Sequence, residues 1–247
     1  MTQLAYLDGI DAGYERTFSA RVVALPPGAV VLDRTYFYAA GGGQPCDRGS
    51  LSVAGGPEIP IVDVAKSGGS VVHRIGRGAP RATGLAVGGE VRGTIDWERR
   101  HRHMRLHTAQ HLLSALLYER AGVRTVKAVL ADRTGTVELE ADAPTGEAWE
   151  AVAREFRSVL DPPREVRIAF VPRAEWDLAP AARSGLVPLA PTVDPVRVIE
   201  IDAIDRCPCG GTHVRSTGEI GGVELPEPVE RTARVRLLGG APPTPSA

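Results

Sequence analysis

Up to about residue 95 the apolar positions come in short runs, "ARVVAL", "AVVLD", "TYFYAA", "IPIVDVA", "SVVHRI" and "EVRGTIDW", separated by Gly, Pro and Asp. None of these runs carries a long 3.6-residue period, and their spacing predicts the strands of a small β-barrel or sandwich. The pattern changes at "DWERRHRHMRLHTAQHLLSALLYERAG". There Met104, Leu106, Ala109, Leu112, Leu113, Leu116 and Leu117 recur at three- and four-residue intervals, which predicts a helix of about two dozen residues with one broad face in the core. Asp96 is placed to cap its start, Glu98 lies in the favourable first turn, and Gly122 suits the left-handed position after its end. Further on, "VKAVLADRTGTVELEA" predicts a hairpin around "DRTG". An amphipathic helix follows from Thr145 to Leu160, ended by Asp161-Pro162-Pro163. "EVRIAFVP", "VRVIEIDAI" and "RVRLL" predict three more strands before the tail "APPTPSA". The expected class is α+β: an all-β domain over 1–95, an α+β domain over 96–240, and a disordered tail over 241–247.

Composition narrows this picture. The chain has 247 residues, 43% of them hydrophobic, enough for one large or two modest packed domains. It contains no run of about 18 apolar residues, and the N-terminus lacks a basic and then apolar leader, so a cytoplasmic protein with no membrane partner is expected. The net charge of -1 excludes a global positive field, leaving any nucleic-acid contact to local clusters. Of the 29 basic residues all but Lys66 and Lys127 are arginine, which suits phosphate but equally reflects base composition. Cys46, Cys207 and Cys209 are an odd set, and the last two are too close in sequence for a good mutual disulfide. Thiols of this kind point to metal binding or catalysis.

His107 and His111 lie four apart, which on a helix puts both imidazoles on one face within reach of one ion. A metalloprotease would need Glu directly after the first histidine, and Thr108 stands there, so that chemistry fails. Cys209 and His213 are also four apart, in the turn-forming "CPCGGTHV", and Cys with His is a donor set that zinc prefers. Cys207 rivals Cys209, although its distance from His213 fits less well. All four donors together would close a structural site, whereas a catalytic one keeps a position open, and the spacing alone leaves both readings standing.

The segments "HTAQHLL", "CGGTHVRSTGEIG" and "RTYFYAAGGGQPCDRG" resemble the editing domain of alanyl-tRNA synthetases, and more closely the freestanding, medium-length AlaX editing proteins. The likeness runs from about Thr35 to Gly221. Paired zinc ligands also occur in threonyl-tRNA synthetase editing domains, but the Gly-Gly-Gly-Gln-Pro stretch with Asp47 after it points to the alanine systems. The resemblance implies one zinc ion per chain on His107, His111, Cys209 and His213, and an editing pocket that includes Gly41, Gly42, Gly43 and Gln44. It also implies a translation-protein-like N-terminal β-barrel followed by a zinc-containing editing domain. The implied activity is hydrolysis in trans of mischarged tRNA(Ala), carrying serine or glycine. Leu106, Gln110 and the extra thiol of Cys207 depart from the synthetase pattern.

Within that reading, Thr108 and Gln110 are candidates for recognising a substrate hydroxyl. Arg99, Arg100, Arg102 and Arg105 are candidates for tRNA phosphates, while His101 and His103 fall outside the ligand pair and are assigned to surface or packing. A monomer or weak dimer is expected. Two other functions stay open: a noncatalytic, zinc-stabilised RNA-binding module, and a deacylase for another mischarged tRNA.

Overall fold

The computed structural model describes residues 1–79, 83–178 and 189–238. The expected tail over 241–247 lies outside the described residues. The chain divides into two compact units, Met1–His101 and Arg102–Ala247. The whole is a mixed α+β protein with several sheets and few helices.

In the first unit, β1 (Gln3–Leu4), β2 (Thr17–Ala24), β3 (Ala29–Leu32), β4 (Arg34–Thr35), β5 (Gly49–Ser52), β6 (Ile59–Ser67), β7 (Ser70–Ile75) and β8 (Glu90–Ile95) follow in order. Six of them pair in the closed ring β2-β3-β7-β6-β5-β8. Strands β2 and β8 alternate buried and exposed residues, as a sheet with one packed face requires. Their inward residues, including Phe18, Val22, Val91 and Ile95, join Leu51, Ile59 and Ile61 in one core. Gly93 sits directly opposite Phe18 in the β2–β8 ladder, and a Cβ there would lie 2.5 Å from the Phe18 ring.

One predicted strand is corrected. Of "TYFYAA" only Thr35 enters a ladder, the short parallel pairing of β4 with β1. The amides that follow are used elsewhere: Phe37 N–H donates to Thr35 Oγ1, Tyr38 N–H to Asp47 Oδ2, and Ala40 N–H to the Val64 carbonyl. Backbone groups satisfied in this way have no need of a neighbouring strand.

Helix α1 (Trp97–Ala121) spans the division between the units. The Arg99 amide donates to Asp96 Oδ1, so Asp96 caps the helix. Gly122, at φ 66°, ends it with its N–H on the Tyr118 carbonyl. The second unit then adds β9 (Thr125–Leu130), β10 (Thr134–Leu139), α2 (Gly146–Leu160), β11 (Val166–Val171), α3 (Arg173–Leu178), β12 (Val196–Ile201), β13 (Asp205–Pro208), β14 (Val223–Glu224) and β15 (Thr232–Leu237). These strands form two sheets, ordered β14-β15-β10-β9 and β11-β12-β13. Helix α2 buries Trp149, Val152, Ala153, Phe156 and Val159, the single stripe that its spacing predicts.

The single stripe predicted for α1 is too narrow. All seven apolar positions of that stripe are buried, but so are Thr108, Gln110, Ser114 and the histidines between them. Ser114 meets Thr125 of β9, and a Cβ on Gly135 of β10 would touch Gln110, so one side of the helix faces that sheet. Thr108 meets Val214, and Arg105 meets Ile220, so another side is covered by the segment after β13. A helix covered on several sides buries polar residues too, and these are then hydrogen-bonded.

Candidate metal centre

The middle of α1 and the segment after β13 bring four donors together. His107 and His111 stand one turn apart on the helix, with ring centroids 5.0 Å apart. Strand β13 pairs with β12 through Cys207 opposite Ile199, and Cys209 N–H bonds the Arg197 carbonyl, which fixes where the chain leaves the sheet. From there Cys209 Sγ comes within 3.6 Å of His107 Nε2 and 3.4 Å of His213 Nε2. The His213 ring stacks on His107 at 4.3 Å and meets His111 edge-on at 4.8 Å. The donor atoms of His107, His111, Cys209 and His213 all lie within 4.8 Å of one another.

The electrostatics suit a metal. Burial, the largest influence on Cys209, pushes its thiol up, but His107 and His213 beside it outweigh that and hold it well below the usual thiol range. The Gly211 N–H, 3.3 Å from Sγ, adds a donor to the thiolate. Burial, and then the neighbouring His107, hold His213 well below the usual imidazole range, leaving it neutral near pH 7. Thiolate and neutral imidazole are the forms in which these side chains bind zinc. Three imidazoles and one thiol are also, by ligand type, a set that a borderline-soft divalent ion takes, His111 giving up its proton on binding.

Around these donors stands a further group. His111 Nδ1 lies 3.3 Å from Asp205 Oδ2 and 3.1 Å from Cys207 Sγ, and all three residues are buried. Burial disfavours the His111 cation, but Cys207 and Asp205 outweigh it and hold the imidazole well above its usual range. Burial pushes the Cys207 thiol up to about 11. The rivalry of the two cysteines thus separates in space: Cys209 stands among the three histidines and Cys207 behind His111. Asp205 was not foreseen. Its signal was the alternation Asp205, Cys207, Cys209, which a two-residue strand period places on one side of the chain.

The two candidates for reading a substrate hydroxyl are both enclosed. Thr108 is fully buried; its Oγ1 lies 3.2 Å from His213 Nδ1 and accepts the Val214 N–H, so it is placed to orient that ring. Gln110 is also buried and gives its amide to Ser114 Oγ at 2.9 Å, on the side of α1 that packs on the sheet. Both polar groups have partners inside the protein.

The basic cluster separates as well. Arg100 is 0% exposed, its guanidinium held by Asp47 and by the carbonyls of Gly13 and Tyr36, so it is closed to phosphate. Arg105 is buried with Nε and Nη2 on the Ile220 carbonyl. Arg99 is half-buried, with Nε 3.1 Å from the Cys46 carbonyl. Arg102, its side chain 27% exposed, pairs with Asp132. His101 stacks on Trp97 at 5.2 Å, and His103 is buried.

In the first unit, Gly41 and Gln44 exchange both backbone hydrogen bonds across Gly42 and Gly43, whose φ values are 56° and 83°. Positive φ at both central residues is the mark of a type I′ turn, which glycine adopts without strain. Gly41 and Gly42 are exposed, while Gln44 is buried.

Comparison with known proteins agrees with this chemistry. The family described as tRNA synthetases class II (A) matches residues 10–99, and the threonyl and alanyl tRNA synthetase second additional domain matches residues 196–228, which include Cys209 and His213. The alanyl-tRNA editing protein AlaX-M of Methanosarcina mazei is 34% identical over 219 residues, 86% of either chain. That of Methanosarcina acetivorans is 35% identical over 232 residues, covering 91% of this chain and 92% of the relative. The alanine–tRNA ligase of Pyrobaculum aerophilum is 36% identical over 89% of this chain, which corresponds to 25% of the ligase. The chain belongs to the family of alanyl-tRNA editing proteins of the AlaX-M type.

Proposed function

We propose that the protein is a hydrolase that acts in trans on mischarged tRNA(Ala), releasing serine, and also glycine, by cleaving the ester to the terminal ribose. The observation that carries this reading is the convergence of His107, His111, Cys209 and His213 in a chain that matches alanyl-tRNA editing proteins over most of its length. The need for such an enzyme follows from pocket physics. One missing methyl is worth roughly 1 to 3 kcal/mol, and an apolar pocket rejects an added hydroxyl weakly, so an alanine site admits glycine and serine.

His107, His111, Cys209 and His213 would hold one zinc ion, which would supply Lewis-acid chemistry to the ester by taking a fifth ligand. Thr108 keeps the His213 ring aligned through its Nδ1, which leaves Nε2 facing the centre. The exposed Gly41–Gly42 backbone and the adjoining Gly43 and Gln44 contribute to substrate binding. Arg99 and Arg102, the less buried of the four arginines, meet tRNA phosphate. Residues 1–95 form the translation-protein-like barrel and 96–240 the zinc-containing editing domain.

The competing reading, a structural zinc in an RNA-binding module, is separated by removing the metal. Chelation is expected to abolish serine release from Ser-tRNA(Ala) and added zinc to restore it, with His107→Ala inactive throughout. A folded, tRNA-binding protein that contains zinc and releases no serine would leave the binding module as the answer.

A further inference from the structure

His111 belongs to two overlapping groups of donors. One is the set with His107, Cys209 and His213; the other places Asp205 and Cys207 against the same ring. One imidazole has two nitrogens, and only the face it turns to each group decides what it binds. Here Nδ1 is the atom within hydrogen-bond distance of Asp205 Oδ2, at 3.3 Å, and near Cys207 Sγ, at 3.1 Å. Nε2, across the ring, is the atom left for the first group.

We infer that Asp205 is the positioning residue of the metal centre: it accepts the Nδ1–H of His111 and so commits Nε2 to the group of His107, Cys209 and His213. The inference rests on the zinc reading of that group. Three observations support it. A carboxylate is a far better acceptor for an imidazole N–H than a neutral thiol, which is weak in both roles. Asp205 is held in place by its ladder with Ile201 at the start of β13, so its carboxylate is presented by a paired strand. His213 shows the same device by other means, with its Nδ1 against the Thr108 hydroxyl and its Nε2 toward Cys209. Two of the three imidazoles are thus backed at Nδ1, one by a carboxylate from the sheet and one by a hydroxyl from the helix. Ligand rings fixed in this way bind metal more tightly, and loss of such a partner typically weakens metal affinity 10- to 100-fold.

The test is zinc affinity, measured by competition with a chromophoric chelator, with thermal unfolding as a check on the fold. Asp205→Asn keeps the shape and replaces the carboxylate with a neutral amide; it is expected to bind zinc about 10- to 100-fold more weakly. Cys207→Ser is expected to stay within a few-fold of the parent. Parent-like affinity in Asp205→Asn, or a loss confined to Cys207→Ser, would overturn the inference. His111→Ala, run in parallel, separates this inference from the zinc reading beneath it. If His111→Ala binds zinc as the parent does, the ligand assignment has failed; if it weakens while Asp205→Asn does not, only the role of Asp205 has failed. Should Asp205→Asn not fold, nitrogen NMR of the histidine rings in the zinc-loaded parent decides: a protonated Nδ1 and a metal-bound Nε2 at His111 are expected, and metal on Nδ1 contradicts the inference.

Discussion

Arg100 and Asp47 form a buried ion pair whose remaining donors go to the Gly13 and Tyr36 carbonyls, while Asp47 also accepts the Tyr38 N–H. Removing one partner strands the other charge, which typically costs about 3 to 5 kcal/mol. Arg100→Ala should therefore lower the denaturant midpoint sharply. Arg99→Ala and Arg102→Ala should instead weaken tRNA binding and each lower its salt dependence by about one counterion. This is where the sequence misled. "ERRHRHMR" states how many charges the helix carries but not which of them are covered, because coverage depends on Asp47, far away in the chain. His73 makes a second case. It is fully buried between the Val30 carbonyl and Thr35 Oγ1, and burial pulls its pKa down to about 4. Above pH 6.5 neither the folded nor the unfolded chain protonates it. Between pH 6.5 and 4 only the unfolded chain takes up the proton, so stability falls, by about 3 kcal/mol at the lower limit. Urea unfolding of the parent and of His73→Gln across this range should show a steeper loss in the parent; parallel curves would remove His73 as the cause.

At the scale of elements, α1 decides the centre. Its boundaries and its apolar positions were legible, since Asp96 and Gly122 are local signals and the leucines keep their spacing. Burial around the rest of the helix was not, because it is imposed by β9, β10 and the segment after β13. Thr108 and Gln110, candidates for substrate contact or for packing in a linear reading, are enclosed by those elements. Thr108→Val should weaken zinc binding about tenfold by freeing the His213 ring, and Thr108→Ser should largely retain it. An affinity equal to the parent's in Thr108→Val would show that the hydroxyl does not orient the ring. Strand β13 is not legible in the sequence, because four residues containing Cys and Pro carry too little pattern, yet it presents Asp205 and leads to Cys209. In the barrel, Gly93 leaves room for the Phe18 ring; Gly93→Ala should cost about 1 to 3 kcal/mol by overpacking, visible as a lower melting temperature.

For the whole molecule, the two ligand pairs are about a hundred residues apart in sequence, as their ring and thiol contacts record, and only the fold of the second unit joins them. The spacing of each pair was readable in advance, and so was the likeness to the editing family. The partner of His111 was not, since it depends on how β13 leaves the sheet. Among the described residues no helix is long and apolar enough to cross a membrane. The net charge of -1 leaves any tRNA contact to local clusters. The most direct measurement is the release of amino acid from Ser-tRNA(Ala) and from correctly charged Ala-tRNA(Ala), side by side, with zinc-loaded protein and a His111→Ala control. Rapid release of serine, sparing of alanine and no release by the control are expected; survival of both esters, or cleavage by the control at the parent's rate, would overturn the editing assignment.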